Sequence, residues 1–155
     1  MSKDKKYWLM KSEPDTYGID RLKRDKKTAW TGVRNFQARN FMRDDMHVGD
    51  LVLFYHSNCK EPGVHGIAKV SSLPYPDNTQ FEKKSPYFDA RATKATPLWF
   101  LVDIAFVKKC KKPFLLSDMR TTKPLRGMRI LAPGNRLSIT PVGEKEYAFI
   151  NHACR

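Results

Sequence analysis

The apolar segments of this chain are short, and turn residues rather than long helical segments separate most of them. Strand-like runs occur at residues 7–11, ahead of the turn signal SEPD, at residues 51–56, and in HGIAKVSSL. The longest apolar run, residues 98–107, predicts a strand at the sheet centre. Because parallel α/β folds need helical crossovers between strands, this order predicts an α+β fold with a small curled sheet or barrel and peripheral helices.

Helical spacing is limited to short pieces in the first third of the chain. Ile19 and Leu22 lie three residues apart among charged residues and predict a helix of about two turns. A second helix is predicted over residues 35–43, with Phe36 and Met42 facing inward.

The C-terminal third combines helices and strands. LLSDMRTT predicts a helix that Ser117 caps, and RILAPGNRLS predicts two short strands around a Pro-Gly turn. A terminal helix is predicted after Thr140 as its cap, with Pro141 in the first turn.

The length of 155 residues predicts a single domain over residues 1–155. No stretch approaches the roughly 18 apolar residues of a membrane helix, so no membrane partner is expected. The first residues hold only a short apolar run, too short for a signal peptide. We therefore expect a cytoplasmic protein, with the nucleoid as a second location, and a monomer.

The cysteines and histidines do not form a recognisable metal or disulfide pattern. Cys59, Cys110 and Cys154 are odd in number and widely spaced, which suggests neither a disulfide framework nor a zinc ribbon. His56, Cys59 and His65 match no zinc spacing, so no metal is predicted. The chain has no P-loop and no G-x-G-x-x-G, so no nucleotide cofactor is expected either.

The charge of the chain indicates its partner class. Lys and Arg total 29 against 16 Asp and Glu, a net charge of +13. The stretch KKCKKPFLLSDMRTTKPLRGMR contains a single acid. A field of this sign favours a polyanion, usually nucleic acid, although a basic surface also serves solubility.

One stretch, TAWTGVRNFQARNFMRD, is too polar for a core and too aromatic for an ordinary loop. A protein that binds a nucleobase needs flat apolar faces, polar groups for the base edge and cations for phosphate. Trp30 is the strongest candidate for such a face because it lies next to Gly32, where a ligand can approach the backbone. Trp99, in the most apolar run, is predicted to be a core residue.

Catalysis is the weaker interpretation. Lys11-Ser12-Glu13, or Cys59 near His56, contains a nucleophile, but no G-x-S-x-G elbow or supporting cysteine signature is present. We therefore predict a protein that is not an enzyme.

Six motifs in order resemble the EVE-domain family, and more narrowly its thymocyte nuclear protein group and bacterial counterparts. They are YWLMKSEPDTYGIDRL, WTGVRNFQARNFMR, FYHSNCKEPGVHGIAKV, YPDNTQFE, PLWFLVDIAFV and RLSITPV, and the match spans residues 7–150. The resemblance implies a PUA-like fold, a strongly bent mixed sheet or pseudo-barrel of about five to six strands with short peripheral helices. It also implies recognition of a modified base in DNA, such as 5-methylcytosine or 5-hydroxymethylcytosine, or of a modified base in RNA.

The resemblance implies a base-binding pocket drawn from four motifs. Its members are Lys11, Ser12, Glu13, Trp30, Val33, Asn35, Phe36, Tyr55, His56, Ser57, Arg136, Leu137 and Ser138. The predicted phosphate contacts are Arg34, Arg39, Lys123 and Arg126, with helix packing as the alternative role of Arg34 and Arg39. Glu13 is suited to accept a hydrogen bond from the exocyclic amine of cytosine or adenine.

The chain departs from the family pattern at two points. Phe36 stands where many members have Tyr, so a hydrogen bond from that hydroxyl is lost. The chain also begins close to the first strand, without the long basic extension of the eukaryotic proteins, which favours a bacterial stand-alone domain.

The alternatives are a non-specific basic RNA-binding domain and a nucleotide or nucleic-acid hydrolase that uses His56 and Glu13. An effector protein partner cannot be identified from the sequence.

Overall fold

A computed structural model describes residues 5–154, and its main element is a mixed sheet of six strands. The strands in chain order are β1 (Tyr7–Ser12), β2 (Lys27–Ala29), β3 (Leu51–His56), β4 (Gly63–Val70), β5 (Tyr75–Pro76), β6 (Phe100–Leu101), β7 (Asp103–Leu115) and β8 (Ile139–Val142). The large sheet has the order β2-β7-β4-β3-β1-β8, and β5 pairs with β6 in a separate ribbon. Only β1 and β3 are parallel; the other pairs are antiparallel. The predicted α+β class with a mixed sheet is confirmed.

Irregular pairing bends this sheet. The register between β4 and β7 shifts twice, between Val64 and Gly66 and between Ile67 and Ala68. Such bulges increase the twist and curvature of a sheet. At Gly66 a Cβ atom would lie 2.5 Å from Cδ1 of Ile19, so glycine lets a helix approach the concave face closely.

Both faces of the sheet are buried, which explains why the strands read as continuous apolar runs. Phe54 packs in one core cluster with Trp8, whereas Leu53 and Tyr55 point to the opposite cluster. Residues 51–56 are therefore core on both faces of the sheet. Because successive side chains alternate, Phe54 and Tyr55 do not share a face, and each is buried.

Short helices cover the two faces. They are α1 (Pro14–Tyr17), α2 (Ile19–Asp25), α3 (Phe36–Asn40), a π-helical turn (Phe41–Asp45), α4 (Leu116–Thr121) and α5 (Glu144–Ala153). The two predicted N-terminal helices are confirmed, and Met42 is buried as expected. Phe36 is 45% exposed, so its predicted inward orientation is wrong; Ala38 is the buried residue of α3.

Two predicted helix starts in the second half of the chain are also wrong. Ser117 lies inside α4, whose first turn uses Asp118 to accept the backbone N–H of Leu115. Thr140 and Pro141 belong to β8, and α5 begins after Gly143, whose N–H donates to Glu146 Oε1 at 2.9 Å. Asp118 and Glu146, acidic side chains at the third helical position, determine where α4 and α5 begin. Pairing of β8 with β1 keeps Thr140 and Pro141 in the strand.

The two remaining differences concern strands. The run 98–107 is divided at Val102, and β7 lies one position from the sheet edge rather than at its centre. Residues 129–131 form a 3₁₀ turn where the first strand of RILAPGNRLS was expected. Trp99 is buried, as predicted.

A disulfide joins Cys110 of β7 to Cys154 at the end of α5. The expectation of no disulfide is therefore wrong. The two cysteines are 44 residues apart, and only the packing of α5 back onto β7 brings them together. Cys59 is a free thiol. Within residues 5–154 no helix is both long and apolar enough to cross a bilayer.

Candidate base-binding site

A cavity of about 600 Å³ opens at the carboxyl end of β1, where the chain leaves the sheet. The volume lies within the range of roughly 300–1,000 Å³ that small-molecule sites occupy. Its lining residues are Lys11, Ser12, Glu13, Thr16, Tyr17, Thr28, Ala29, Trp30, Thr31, Gly32, Val33, Arg34, Tyr87 and Ser138. Most of the lining comes from two segments, the β1 end with α1 and the turn that follows β2.

Lys11 and Arg34 both line this cavity, and Lys11 is the one without an ion pair among residues 5–154. Its backbone N–H donates to the Ser138 carbonyl at 2.8 Å, which joins β1 to the segment that precedes β8. Burial lowers the pKa of the Lys11 ammonium, and no carboxylate in residues 5–154 forms an ion pair with it. A partly desolvated cation without a counterion favours an incoming anion.

Trp30 forms an apolar wall. The residue is 8% exposed, and its indole ring packs edge to face with Phe54, with the ring centroids 5.7 Å apart. Its backbone N–H donates to the Val102 carbonyl at 3.0 Å. Within the described part of the chain no acceptor takes the indole N–H, so this donor is available to a ligand at the cavity edge.

Tyr87 faces the cavity beside Gly32. Gly32 has φ +88°, and a Cβ atom there would lie 2.7 Å from Cζ of Tyr87. Only glycine therefore fits both the backbone conformation and the close approach of the ring. The backbone N–H of Tyr87 donates to Ser85 Oγ at 3.0 Å, while the residue remains 38% exposed.

Asp77 and Arg34 hold this wall in place. The buried Asp77 carboxylate accepts the Gly32 N–H at 2.9 Å and Arg34 Nη1 at 3.2 Å. Arg34 also donates to the Tyr87 carbonyl through Nε and Nη2, at 3.0 and 2.7 Å, and to Thr79 Oγ1. Burial would raise the pKa of the Asp77 carboxyl, but hydrogen bonds from Thr79 and Gly32 and the Arg34 charge together lower it. Asp77 is therefore an anion that positions the cavity wall.

The structure brings together six of the predicted pocket residues. They are Lys11, Ser12, Glu13, Trp30, Val33 and Ser138. Ser12 Oγ donates to the Tyr17 carbonyl at 2.6 Å, so its hydroxyl proton is used inside the protein. The Glu13 side chain is exposed at the rim, and no hydrogen bond or ion pair within residues 5–154 engages it.

Two predicted pocket residues on α3 lie outside the cavity. Asn35 Oδ1 accepts the Ala38 N–H at 3.0 Å, so the side chain caps the helix. Phe36 stacks on Trp99 with centroids 4.5 Å apart, and the Arg39 guanidinium lies over its ring. Their residue types suit base recognition, but a cap and a helix surface direct them elsewhere.

The three predicted residues at the end of β3 do not line the cavity either. Tyr55 is buried in the cluster on the opposite face of the sheet. His56 Nε2 accepts the Ile19 N–H at 3.1 Å, and the Ser57 N–H donates to the Ser12 carbonyl at 3.0 Å. His56 therefore supports the start of α2 rather than a ligand.

His56 gives the protein a pH-dependent stability. Burial first, and then the charge of His65, lower the pKa of His56 to about 4, below its ordinary value of 6.5. The unfolded chain therefore binds a proton at a pH where the folded protein does not, so stability is full above about pH 6.5 and decreases toward pH 4. We expect the melting temperature to fall across this interval, and less so in His56→Gln, which retains an acceptor for Ile19. Parallel melting curves for the two proteins would contradict this role.

The predicted phosphate contacts divide into two kinds. Arg34 lines the cavity, but each of its guanidinium nitrogens donates within the protein. Arg39 donates to the Leu98 carbonyl at 2.6 Å and to Asn40, so the alternative role in packing fits both arginines. Lys123 and Arg126 are exposed, and their side chains make no hydrogen bond within residues 5–154. Arg136 and Leu137 do not line the cavity, although they immediately precede Ser138.

Sequence reasoning missed Tyr87 and the role of Asp77. Tyr87 lies in an irregular segment without periodicity, so no pattern identifies it. Asp77 does fall inside the motif YPDNTQFE, but its contacts with residues 43 and more positions away are tertiary. Among residues 5–154 no group of three His, Cys, Asp or Glu side chains is arranged to hold a metal ion.

Known proteins are similar to this chain in sequence and in fold. The EVE domain profile matches residues 6–153. Human thymocyte nuclear protein 1 is 41% identical over 93% of this chain and 72% of its own length. A hypothetical protein from Leishmania major superposes with a TM-score of 0.92 at 46% identity, covering 98% of this chain and 96% of that one.

A further structure contains a ligand. Human THYN1 in complex with DNA that contains 5-methylcytosine superposes with a TM-score of 0.87 at 39% identity, covering 94% of this chain and 95% of that one. The PUA-like fold that the motifs imply is thus confirmed. The chain belongs to the EVE-domain family.

Proposed function

We propose that this protein binds DNA and accommodates one modified cytosine, of the 5-methylcytosine type, in the cavity at the end of β1. The observation that carries the proposal is Lys11, a half-buried cation without a counterion beside the aromatic walls Trp30 and Tyr87. Aromatic faces stack on a base, and the cation meets a flanking phosphate. The complex of a homologous human protein with methylated DNA supports the same ligand class.

The rim groups suit a cytosine edge. Glu13 is a free acceptor for the exocyclic amine, and the indole N–H of Trp30 is a free donor for a ring nitrogen or carbonyl oxygen. Burying the base between the walls contributes about 1–3 kcal/mol, which offsets the few kcal/mol needed to extrude it from a duplex.

We further propose that the protein acts as a reader and not as an enzyme. A hydrolase that uses His56 and Glu13 would need both groups in one site. His56 accepts the Ile19 N–H and does not line the cavity. Glu13 therefore has no histidine beside it in this site to act as the general base.

A binding panel tests the function. Duplexes with one cytosine or one 5-methylcytosine, and RNA with the same bases, are titrated at two salt concentrations, and the mass of each oligonucleotide is checked after incubation. We expect a preference for the methylated duplex that persists at the higher salt. Equal affinities that fall together with salt would instead establish the non-specific basic domain, and a change of mass would establish an enzyme.

Replacing Lys11 with Met should weaken DNA binding about tenfold or more, because a charge-assisted contact to phosphate contributes about 1.5–3 kcal/mol. Lys69→Met, at an exposed position of β4, removes the same charge and should have a small effect. Titrations of both variants at the same salt concentration measure the two losses of DNA affinity. Equal losses in the two variants would exclude a specific role for Lys11.

The pH dependence of binding follows from the same residue. Burial lowers the pKa of Lys11, and only the charged form attracts phosphate. Affinity of the parent protein should therefore fall as the pH rises through this lowered pKa, and Lys11→Met should lack that dependence. The variant should be at least as stable as the parent, since it no longer buries an unpaired charge.

A further inference from the structure

The arginines of this protein fall into two sets along the chain. Those up to residue 91 each form a hydrogen bond or ion pair with another protein group; they are Arg21, Arg24, Arg34, Arg39, Arg43 and Arg91. The side chains of Arg120, Arg126, Arg129 and Arg136 form neither within residues 5–154, and all four residues are exposed. The early arginines thus have partners within the protein, whereas the later ones are left to solvent or to a partner molecule.

The later set lies in a segment that carries no acid. Residues 119–143, here called the basic segment, contain five basic residues and no Asp or Glu. No ion pair within residues 5–154 engages the side chains of these cations; Asp118 and Glu144 flank the segment, and the Glu146 carboxylate lies near Gly127. A solvated surface usually mixes both signs, so a run of one sign over this length favours an anionic partner.

The segment is ordered although it has little regular structure. Leu125 and Met128 are buried in the second core cluster. Backbone hydrogen bonds close successive turns, from Arg126 to Lys123 and from Leu131 to Met128. The cations Lys123, Arg126 and Arg129 therefore project from a fixed series of turns, which lowers the entropy lost when they bind.

The segment leads directly to the cavity. It ends in β8, which pairs with β1, and its residue Ser138 both lines the cavity and accepts the Lys11 N–H at 2.8 Å. Arg136 is two positions from this wall. The C-terminal end of the segment thus forms part of the cavity wall through Ser138, whereas its turns at Leu125 and Met128 pack on the second core cluster.

We propose that the basic segment binds the phosphate backbone of the DNA that flanks the base in the cavity. The proposal rests on the proposed function for the identity of the partner. Phosphate contacts add affinity without distinguishing sequences or modified bases. The cavity therefore distinguishes methylated from unmethylated DNA. The basic segment adds affinity that decreases as the salt concentration rises.

The test compares two charge-matched triple variants. One replaces Lys123, Arg126 and Arg129 with Gln; the control replaces Lys23, Lys69 and Lys94, which are exposed and lie outside the segment. Affinities for methylated and unmethylated duplexes are measured across a salt series. Each lost phosphate contact lowers the slope of log affinity against log salt by about 0.9, so the first variant should lower it by about 2–3. The ratio of the two affinities should not change.

The outcomes separate this proposal from the function itself. An unchanged slope, or an equal decrease in the control variant, would overturn the role of the basic segment. A loss of the methylation ratio in the segment variant would also overturn it, because that result assigns the residues to base recognition. If the parent protein shows no methylation preference, the proposed function fails, but the slope comparison still decides whether the segment contacts phosphate.

Discussion

Asp77→Ala is expected to reduce the free energy of unfolding by about 2–4 kcal/mol, because removing one partner of a buried ion pair leaves the other without compensation. Asp77 is 1% exposed and accepts hydrogen bonds from Gly32, Arg34 and Thr79. Arg34 remains partly solvated, which keeps the effect below that of a fully buried pair. Chemical denaturation measures the loss.

The same substitution should disturb binding in the fraction that stays folded. Asp77 positions Gly32 directly and Tyr87 through Arg34, so the cavity wall loses its support. We expect a smaller preference for methylated duplex under conditions where circular dichroism shows a folded protein. A parent-like preference would mean that the wall does not depend on this carboxylate.

Asp44→Ala is the matched control for Asp77. Asp44 forms an ion pair with Arg43 at 2.8 Å, but both side chains are solvent-exposed. Exposed pairs contribute about 0–1 kcal/mol, so this variant should unfold near the parent midpoint. Equal losses in the two aspartate variants would contradict the view that burial makes Asp77 important.

Acid titration gives a second test of Asp77. Its hydrogen bonds and the Arg34 charge outweigh burial and lower the carboxyl pKa in the folded protein. The stabilisation is therefore present above the unfolded pKa of about 3.9 and is lost as the pH falls through the folded pKa. Asp77→Asn should have a weaker dependence of stability on pH in this acidic interval.

Trp30→Ala should reduce the free energy of unfolding by about 3–5 kcal/mol, the range for removing a large buried aromatic side chain. The ring packs edge to face on Phe54, in the core cluster that joins α2 and α3 to the sheet. A binding loss in this variant alone would therefore combine a damaged core with a lost cavity wall. Thermal and denaturant unfolding measure the first of these effects.

Trp30→Phe separates the two roles of this residue. The substitution keeps an aromatic face and should cost about 1–2 kcal/mol of stability, while it removes the indole N–H that no described acceptor takes. We expect several-fold weaker binding of the methylated duplex by a folded protein. Phe36→Ala is the control, because Phe36 comes from the same stretch but stacks on Trp99 outside the cavity. A larger binding loss in Phe36→Ala would reverse the assignment.

Local patterns in the sequence determined a large part of this protein. Continuous apolar runs bounded by turn signals predicted strands, and alternation of side chains across a strand explains why both faces of β3 are covered. Asn35, immediately before a helical stretch, is a residue type suited to a cap, and it caps α3 instead of lining the cavity as expected. Such features depend on neighbouring residues, so they can be read without knowing the fold.

Tertiary structure alone decided which side chains are available for function. Lys11 and Arg34 are both cations beside the cavity. Arg34 pairs with the Asp77 carboxylate, which is 43 positions away in the chain, whereas Lys11 forms no ion pair within residues 5–154. Tyr87 and the Cys110–Cys154 disulfide likewise depend on packing between distant segments. Sequence patterns specify what each residue can do, whereas pairing and burial, which require the folded chain, determine what it is left free to do.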